Sequence, residues 1–143
     1  MSLYLSTEWV KASYSDIVVL ESIYENPIVT HMTAFHSQQA IEKCFKAIIE
    51  YNTDATPYKH DIILLKSMTE KYITIDDEDI LEDLNELYID SRYPGDMGLL
   101  PHGKPTLEDA KEFYNFANDF FIRVCKLLDI SIEEIKADAN SSN

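Results

Sequence analysis

Residues 31–51, HMTAFHSQQAIEKCFKAIIEY, place apolar side chains at the spacing of an α-helix. At about 100° per residue, one broad stripe collects the apolar positions Ala40, Ile41, Cys44, Phe45, Ala47, Ile48 and Tyr51. The opposite side carries the polar positions Gln38, Gln39, Glu42, Lys43 and Lys46. We therefore predict a long amphipathic helix whose apolar face packs into a core.

The helical period recurs on both sides of this segment. Further helices are predicted over about 7–24, 61–72, 76–92 and 106–127, with a short helical piece after residue 129. The predicted N-caps are Thr7, Asp61 and Thr106, the last with Asp109 as a weaker capping-box partner. The fifth helix is expected to bury Phe113, Phe116, Ala117, Phe120, Val124 and Leu127.

Length and composition indicate one all-α domain. The chain has 143 residues, which suits a single core, and only three of them are glycine. We expect the domain to cover residues 1–138 and the polar residues 139–143 to form a frayed tail.

The formal net charge of −14 limits the choice of partners. A strongly acidic chain repels bare nucleic acid, so any RNA contact needs a local basic pocket, a basic partner or a metal ion. Solubility alone also explains such a charge. The dense acidic run over 76–83 is either a solvated helix start or a docking face for a basic partner.

Several classes of site have no motif in this sequence. Cys44 and Cys125 lack metal-ligand spacing and are expected to be reduced core residues. We find no phosphate-binding glycine loop, serine triad or dinucleotide fingerprint, and we expect no metal and no cofactor. No segment has the length of a membrane span or the pattern of a signal peptide, so the expected location is the cytoplasm.

Three segments, in this order and spacing, carry a family resemblance. They are FHSQQAIEKCFKA at 35–47, His60-Asp61-Ile62 with Leu65, and Leu84 and Tyr88 followed by DSRYPG at 90–95. With Trp9 and Asp16 in the first helix, the chain resembles the HEPN (higher eukaryotes and prokaryotes nucleotide-binding) domain family. The Arg-Tyr-Pro sequence is similar to that of the short, stand-alone members.

The resemblance implies an up-and-down bundle of four to five helices that usually forms a homodimer. Such proteins often occur with a minimal nucleotidyltransferase, sometimes as a toxin–antitoxin pair. Many members are metal-independent ribonucleases that use an Arg, then four to six residues, then a His, at a dimer cleft. Here nine residues separate Arg92 from His102, and Pro94 interrupts them. Either the loop folds His102 back towards Arg92, or the pair is not catalytic.

Arg92 is the leading candidate for function, because a guanidinium grips phosphate through two hydrogen bonds. It can equally cap helix carbonyls or pair with a carboxylate. Lys43 and Lys46 could meet a nucleotide phosphate beside Arg92. His102 is the candidate general acid or base, with an idle loop histidine as the alternative.

The polar positions of the second helix have two interpretations. Gln38, Gln39 and Glu42 form either a solvated face, with Glu42 and Lys46 as an exposed ion pair, or a polar network at a helix–helix or subunit contact. We favour the network, because the apolar residues Phe35 and Ile49 interrupt the polar face, which a fully solvated face would not need. His60 and Asp61 are expected to hold the start of the third helix.

Three functions are consistent with these residues. The first is a dimeric module that binds a nucleotide or acts with a nucleotidyltransferase. The second is a ribonuclease toxin that uses Arg92 and His102. The third is a helical protein whose dimer is its whole role.

Overall fold

The computed structural model describes residues 2–53, 58–91 and 104–141, without the side chains of 88–91, and every regular element in these ranges is helical. The α-helices are α1 (Leu3–Ile23), α2 (Thr30–Asn52), α3 (Ile62–Thr69), α4 (Glu78–Ser91), α5 (Leu107–Leu127) and α6 (Ile132–Ser141). A 3₁₀ turn, Pro27–Val29, joins α1 to α2. The predicted all-α bundle is confirmed. None of the helices in these ranges is long and apolar enough to cross a membrane.

The start of α1 differs from the prediction. Ser2 is the N-cap, and its Oγ accepts a hydrogen bond from the Leu5 amide at 3.0 Å. Thr7 lies inside the helix, where its hydroxyl donates to the Leu3 carbonyl at 2.7 Å. A threonine can satisfy its hydroxyl on the carbonyl four residues earlier, so Thr7 did not mark a boundary.

The other two predicted N-caps are confirmed. Asp61 Oδ1 accepts hydrogen bonds from the amides of Ile63 and Leu64 at 2.9 and 3.2 Å. Thr106 Oγ1 accepts from the Asp109 amide at 3.0 Å, and Asp109 Oδ2 accepts from the Thr106 amide at 2.9 Å. These reciprocal bonds complete a capping box at the start of α5.

We expect Asp61→Ala to lower the free energy of unfolding by about 1 kcal/mol, because two amides at the start of α3 lose their acceptor. Asp61→Asn is the matched control, since its side-chain oxygen can still cap. Urea denaturation of both variants tests this. Equal losses for alanine and asparagine would show that the cap is not the source of the effect.

Helix α2 is the centre of the bundle and packs against α1, α3, α4 and α5. The predicted apolar stripe of α2 is buried except for Tyr51, which is exposed. Phe45 on α2 contacts Phe120 on α5, with ring centroids 5.0 Å apart. Packing on four sides also explains why polar residues of α2 are buried, as described below.

The buried face of α5 is rotated from the predicted one. Phe116 is only partly buried and Leu127 is 43% exposed, so these two predictions were wrong. Phe121 and Cys125 are buried instead. Helix α5 packs against α1 as well as α2. Its buried face is therefore wider than the predicted face and is shifted around the helix.

Helix α6 reaches further than the sequence indicated. It runs to Ser141, so residues 139–141 of the predicted frayed tail are helical. Ile135 is buried against the core, and Asp138 pairs with Lys11 of α1 at 3.2 Å. The last helix is therefore attached to the bundle.

Candidate functional site

A buried carboxylate, Glu42, organises the polar face of α2. Its Oε2 accepts a hydrogen bond from Lys46 Nζ at 3.0 Å, and its Oε1 accepts from Gln38 Nε2 at 3.2 Å. His60 Nδ1 lies 3.1 Å from Oε2. Lys46 is 5% exposed and Gln38 is fully buried, so this part of α2 is not a solvated face.

The same network reaches two other elements. Gln38 Nε2 also donates to the carbonyl of His60 at 3.1 Å, and Gln39 Nε2 donates to Gln38 Oε1 at 2.7 Å. Lys46 Nζ lies 5.2 Å from the ring centroid of Trp9 on α1. The polar residues of α2 therefore connect α1 and the segment before α3, which is a helix–helix contact inside one chain.

A second charged cluster joins α1 to α2. Asp16 is buried on α1, and its two carboxylate oxygens contact Lys43 Nζ at 2.7 Å and His36 Nδ1 at 2.9 Å. In the sequence, Asp16 contributed to the family resemblance but was assigned no partner. The sequence did contain a signal, since Asp16 is an acidic residue within the apolar stripe of the first helix. A carboxylate buried at such a position requires a cationic or hydrogen-bonding partner.

Cys44 is buried where α1 packs closely on α2. Ser13 Oγ donates to the Ala40 carbonyl at 2.8 Å and lies 3.2 Å from Cys44 Sγ. Burial raises the pKa of the Cys44 thiol to about 12, and that of Cys125 to about 11. Thiols with such pKa values stay protonated near neutral pH, which suits core residues.

The network continues from α3 to α4. Asn85 on α4 is buried, and its Oδ1 accepts a hydrogen bond from the Ile62 amide at 3.2 Å. His60 contacts α2, and the Ile62 amide contacts α4, so the start of α3 is held on both sides. Asn85 had no distinguishing signal in the sequence, since an asparagine on a helix is usually a surface residue.

The predicted phosphate contacts are not gathered at one place by the described residues. Lys43 and Lys46 each bind a carboxylate of the same chain, and Lys46 is buried. Arg92 and His102 lie outside the described residues. The last described residue of α4 is Ser91, directly before Arg92.

The acidic run at the start of α4 lies close to a further carboxylate, Asp109, on α5. The pKa of the Asp83 carboxyl is raised by its burial first, and then by Glu86, Asp109, Asp79 and Glu82. Lys66 neutralises part of the run through Glu78, at 2.8 Å. Within the described ranges, no group of three or more His, Cys, Asp or Glu side chains is placed to hold a metal ion.

The family model of the HEPN domain matches residues 6–128, from the first turns of α1 to the end of α5. The chain belongs to the HEPN family. HEPN domains often dimerise and are often nucleases or nucleotide-related modules. The match includes both charged clusters of this HEPN domain and leaves out α6. No curated protein and no solved structure shows significant similarity to the chain.

Proposed function

We propose that this HEPN domain is a dimeric binding module that contacts a nucleotide phosphate through Arg92 and acts with a protein partner. The first candidate partner is a minimal nucleotidyltransferase in a toxin–antitoxin-like pair. One observation carries the proposal: Lys43 and Lys46 form ion pairs within the fold, in a chain whose net charge is −14.

This observation bears directly on RNA cleavage. A ribonuclease must hold a polyanion beside its acid–base group, and Lys and Arg side chains supply that attraction. The two lysines nearest the HEPN signature neutralise Asp16 and Glu42 instead. Arg92 and His102 are separated by nine residues that include a proline. A nucleotide-binding role therefore fits these residues better than RNA cleavage.

The acidic surface supports a protein partner. Burial first, and then four neighbouring carboxylates of α4 and α5, raise the pKa of the Asp83 carboxyl, so negative charges are close together on this surface. A basic partner surface would relieve this repulsion and would be guided to it over long range.

Exposed apolar side chains support the dimer. Ile49, an apolar residue that interrupts the polar face of α2 in the sequence, is 3% exposed and belongs to the core of one chain, so it gives no support. Tyr4, Ile28 and Tyr58 do, because they are 72%, 73% and 99% exposed. A two-fold contact is the commonest way to cover such residues. The two free, buried cysteines suit a reducing compartment, and we place this function in the cytoplasm.

The proposal is tested by sedimentation equilibrium and by co-purification with any minimal nucleotidyltransferase encoded beside the chain. We expect a dimer at micromolar concentration and a stable complex. Neutralising Asp79, Glu82 and Glu86 together should weaken the complex about tenfold or more, since several complementary charges are lost. Neutralising Glu8 and Glu21 on α1 together with Glu25 in the turn after it is the matched control. A monomer that binds no such enzyme would contradict the proposal.

We expect no metal-independent cleavage of total RNA in EDTA by the purified protein. The physical reason is that an Arg and a His must converge on one phosphate, and the chain between Arg92 and His102 opposes this. Gel analysis of the RNA, with Arg92→Ala and His102→Ala as controls, is the measurement. Cleavage that disappears in both variants would instead establish the ribonuclease alternative.

A further inference from the structure

Helix α6 lies on a surface of α1 and α5, and the family match ends before this helix begins. This surface, the α6 seat, includes four residues of α1 and α5: Lys11, Tyr14, Ile17 and Phe121. The chain turns back at Asp129, whose φ is 55°, and the Ile130 amide donates to the Cys125 carbonyl at 2.9 Å. These contacts close α5 and direct α6 across α1. The start of α6 is therefore fixed, while the rest of it depends on its contacts with the seat.

Few side chains hold α6 in the seat. Among the described residues of α6, only Ile135 is buried, and Ile132 is partly buried against the core. Asp138 pairs with Lys11 at 3.2 Å, but the two side chains are 59% and 35% exposed, and such a pair adds little to stability. A helix of 10 residues is also marginal on its own. The docking of α6 therefore depends mainly on one isoleucine.

On one side of α6, the seat is only partly filled. A cleft of about 360 Å³ lies between α6 and α1, and its walls include Lys11, Tyr14 and Ala139. Ala139 follows Ile132 and Ile135 at the spacing i, i+3, i+7, which places all three on one face of the helix. The third position of this apolar stripe is therefore a methyl group beside a cleft with room for a much larger side chain.

A second cleft, also of about 360 Å³, lies on the other side of α6, between α6, α1 and α5. Its walls include the buried side chains of Ile17 and Phe121, and the exposed side chains of Glu21 and Lys136. A close-packed contact leaves few spaces of this size. Helix α6 therefore fits its seat loosely on both sides.

The charges of the seat select the chemistry of the helix that lies in it. Lys11 contacts a carboxylate of the present occupant, Asp138, and Glu21 lines the same cleft as the occupant's Lys136. The seat therefore suits a helix with three apolar residues on one face, a basic residue directly after the second of them and an acidic residue two positions later. Helix α6 meets these requirements except for the small size of its third apolar residue.

We propose that the α6 seat binds an amphipathic helix of a protein partner, which displaces α6. The partner helix carries a large apolar residue at the position that Ala139 takes in α6, and this residue fills the cleft beside Tyr14. Helix α6 competes from within the same chain, so only a helix with better-filling apolar residues enters the seat. The proposal goes beyond the function described above, because it uses neither Arg92 nor the acidic residues of α4 and requires no dimer.

Fluorescence anisotropy with labelled synthetic peptides of residues 130–143 tests the proposal on the full chain. We expect the peptide with Ala139→Leu to bind about tenfold more tightly than the natural-sequence peptide, because the leucine buries more apolar surface. The peptide with Ala137→Leu is the matched control, since Ala137 is exposed and lines neither cleft. It should bind like the natural-sequence peptide.

Variants of the chain show where the peptide binds. Ala139→Leu in the chain should improve the fit of its own α6 and weaken binding of the Ala139→Leu peptide by about tenfold, whereas Ala137→Leu in the chain should leave it unchanged. Ile135→Glu removes the main anchor of α6, so this variant should bind the peptide more tightly than the unaltered chain. The comparison of Ala139→Leu with Ala137→Leu decides the matter even if Ile135→Glu does not fold.

Three results would overturn the proposal. The first is that the Ala139→Leu peptide does not bind, or gains no more than the Ala137→Leu peptide. The second is equal binding of the Ala139→Leu peptide to the unaltered chain and to its Ala139→Leu variant, which would place the peptide outside the seat. The third is that the natural-sequence peptide binds as tightly, which would assign the seat to α6 of a second copy of this chain.

Discussion

Phe120→Ala is expected to lower the free energy of unfolding by about 3–5 kcal/mol, the range for removing a buried aromatic ring. Phe120 is 2% exposed, and its ring packs on Phe45 of α2 at a centroid distance of 5.0 Å. The substitution leaves a cavity between the central helix and α5. Urea denaturation, with the slope compared between variants, measures the loss.

Phe116→Ala is the matched control on the same helix. Phe116 is partly buried and stacks on the outer side of Phe120, with centroids 6.4 Å apart. We expect its removal to cost roughly 1 kcal/mol, since much of the ring keeps its water contact. A larger loss for Phe116 than for Phe120 would mean that the predicted helix face, and not the observed one, is correct.

Lys46→Met is expected to lower the free energy of unfolding by about 3 kcal/mol, because it leaves Glu42 buried without its cation. Methionine keeps most of the apolar stem, so the loss reports on the charge. The ammonium also gives up its position 5.2 Å from the Trp9 ring. Thermal and urea denaturation at neutral pH are the measurements.

A second substitution distinguishes a charge effect from a packing effect. The double variant Glu42→Gln, Lys46→Met removes the isolated charge and should regain most of the lost stability. Glu70→Gln is the control for an exposed pair and should change stability by less than about 1 kcal/mol. If the double variant is less stable than Lys46→Met, the buried charge is not the cause.

Local features of the fold could be predicted from the sequence because their causes lie within a few residues. The α2 stripe follows from periodicity alone, and the caps at Asp61 and Thr106 act on amides two or three residues away. Thr7 was misassigned because a hydroxyl has two local solutions, a cap or a bond within the helix. The face of α5 was misphased because two neighbouring helices define it.

Most contacts between different elements in the charged clusters could not be predicted, because the partners are distant in sequence. The Glu42–Lys46 pair, four residues apart on α2, is the exception. Asp16 and Lys43 are 27 residues apart, and nothing in either local pattern indicates the other. Thr74, in the turn after α3, and Arg123, on α5, form a hydrogen bond across 49 residues. The sequence allowed a Glu42–Lys46 pair, but as an exposed one, and the packing around α2 shows that this pair is buried. Lys43 meets its partner, Asp16, only through the packing of α1 on α2.

The tight turn between α1 and α2, which Asn26 caps, affects the order in which the domain can assemble. It lets Asp16 and His36 meet across a separation of 20 residues, whereas Lys104 and Ile28 meet across 76. Each doubling of a closed loop adds about 0.6 kcal/mol of chain entropy, so the first contact costs roughly 1 kcal/mol less to close. The α1–α2 hairpin can therefore form while the rest of the chain is still unfolded, and it offers the later helices a surface on which to condense.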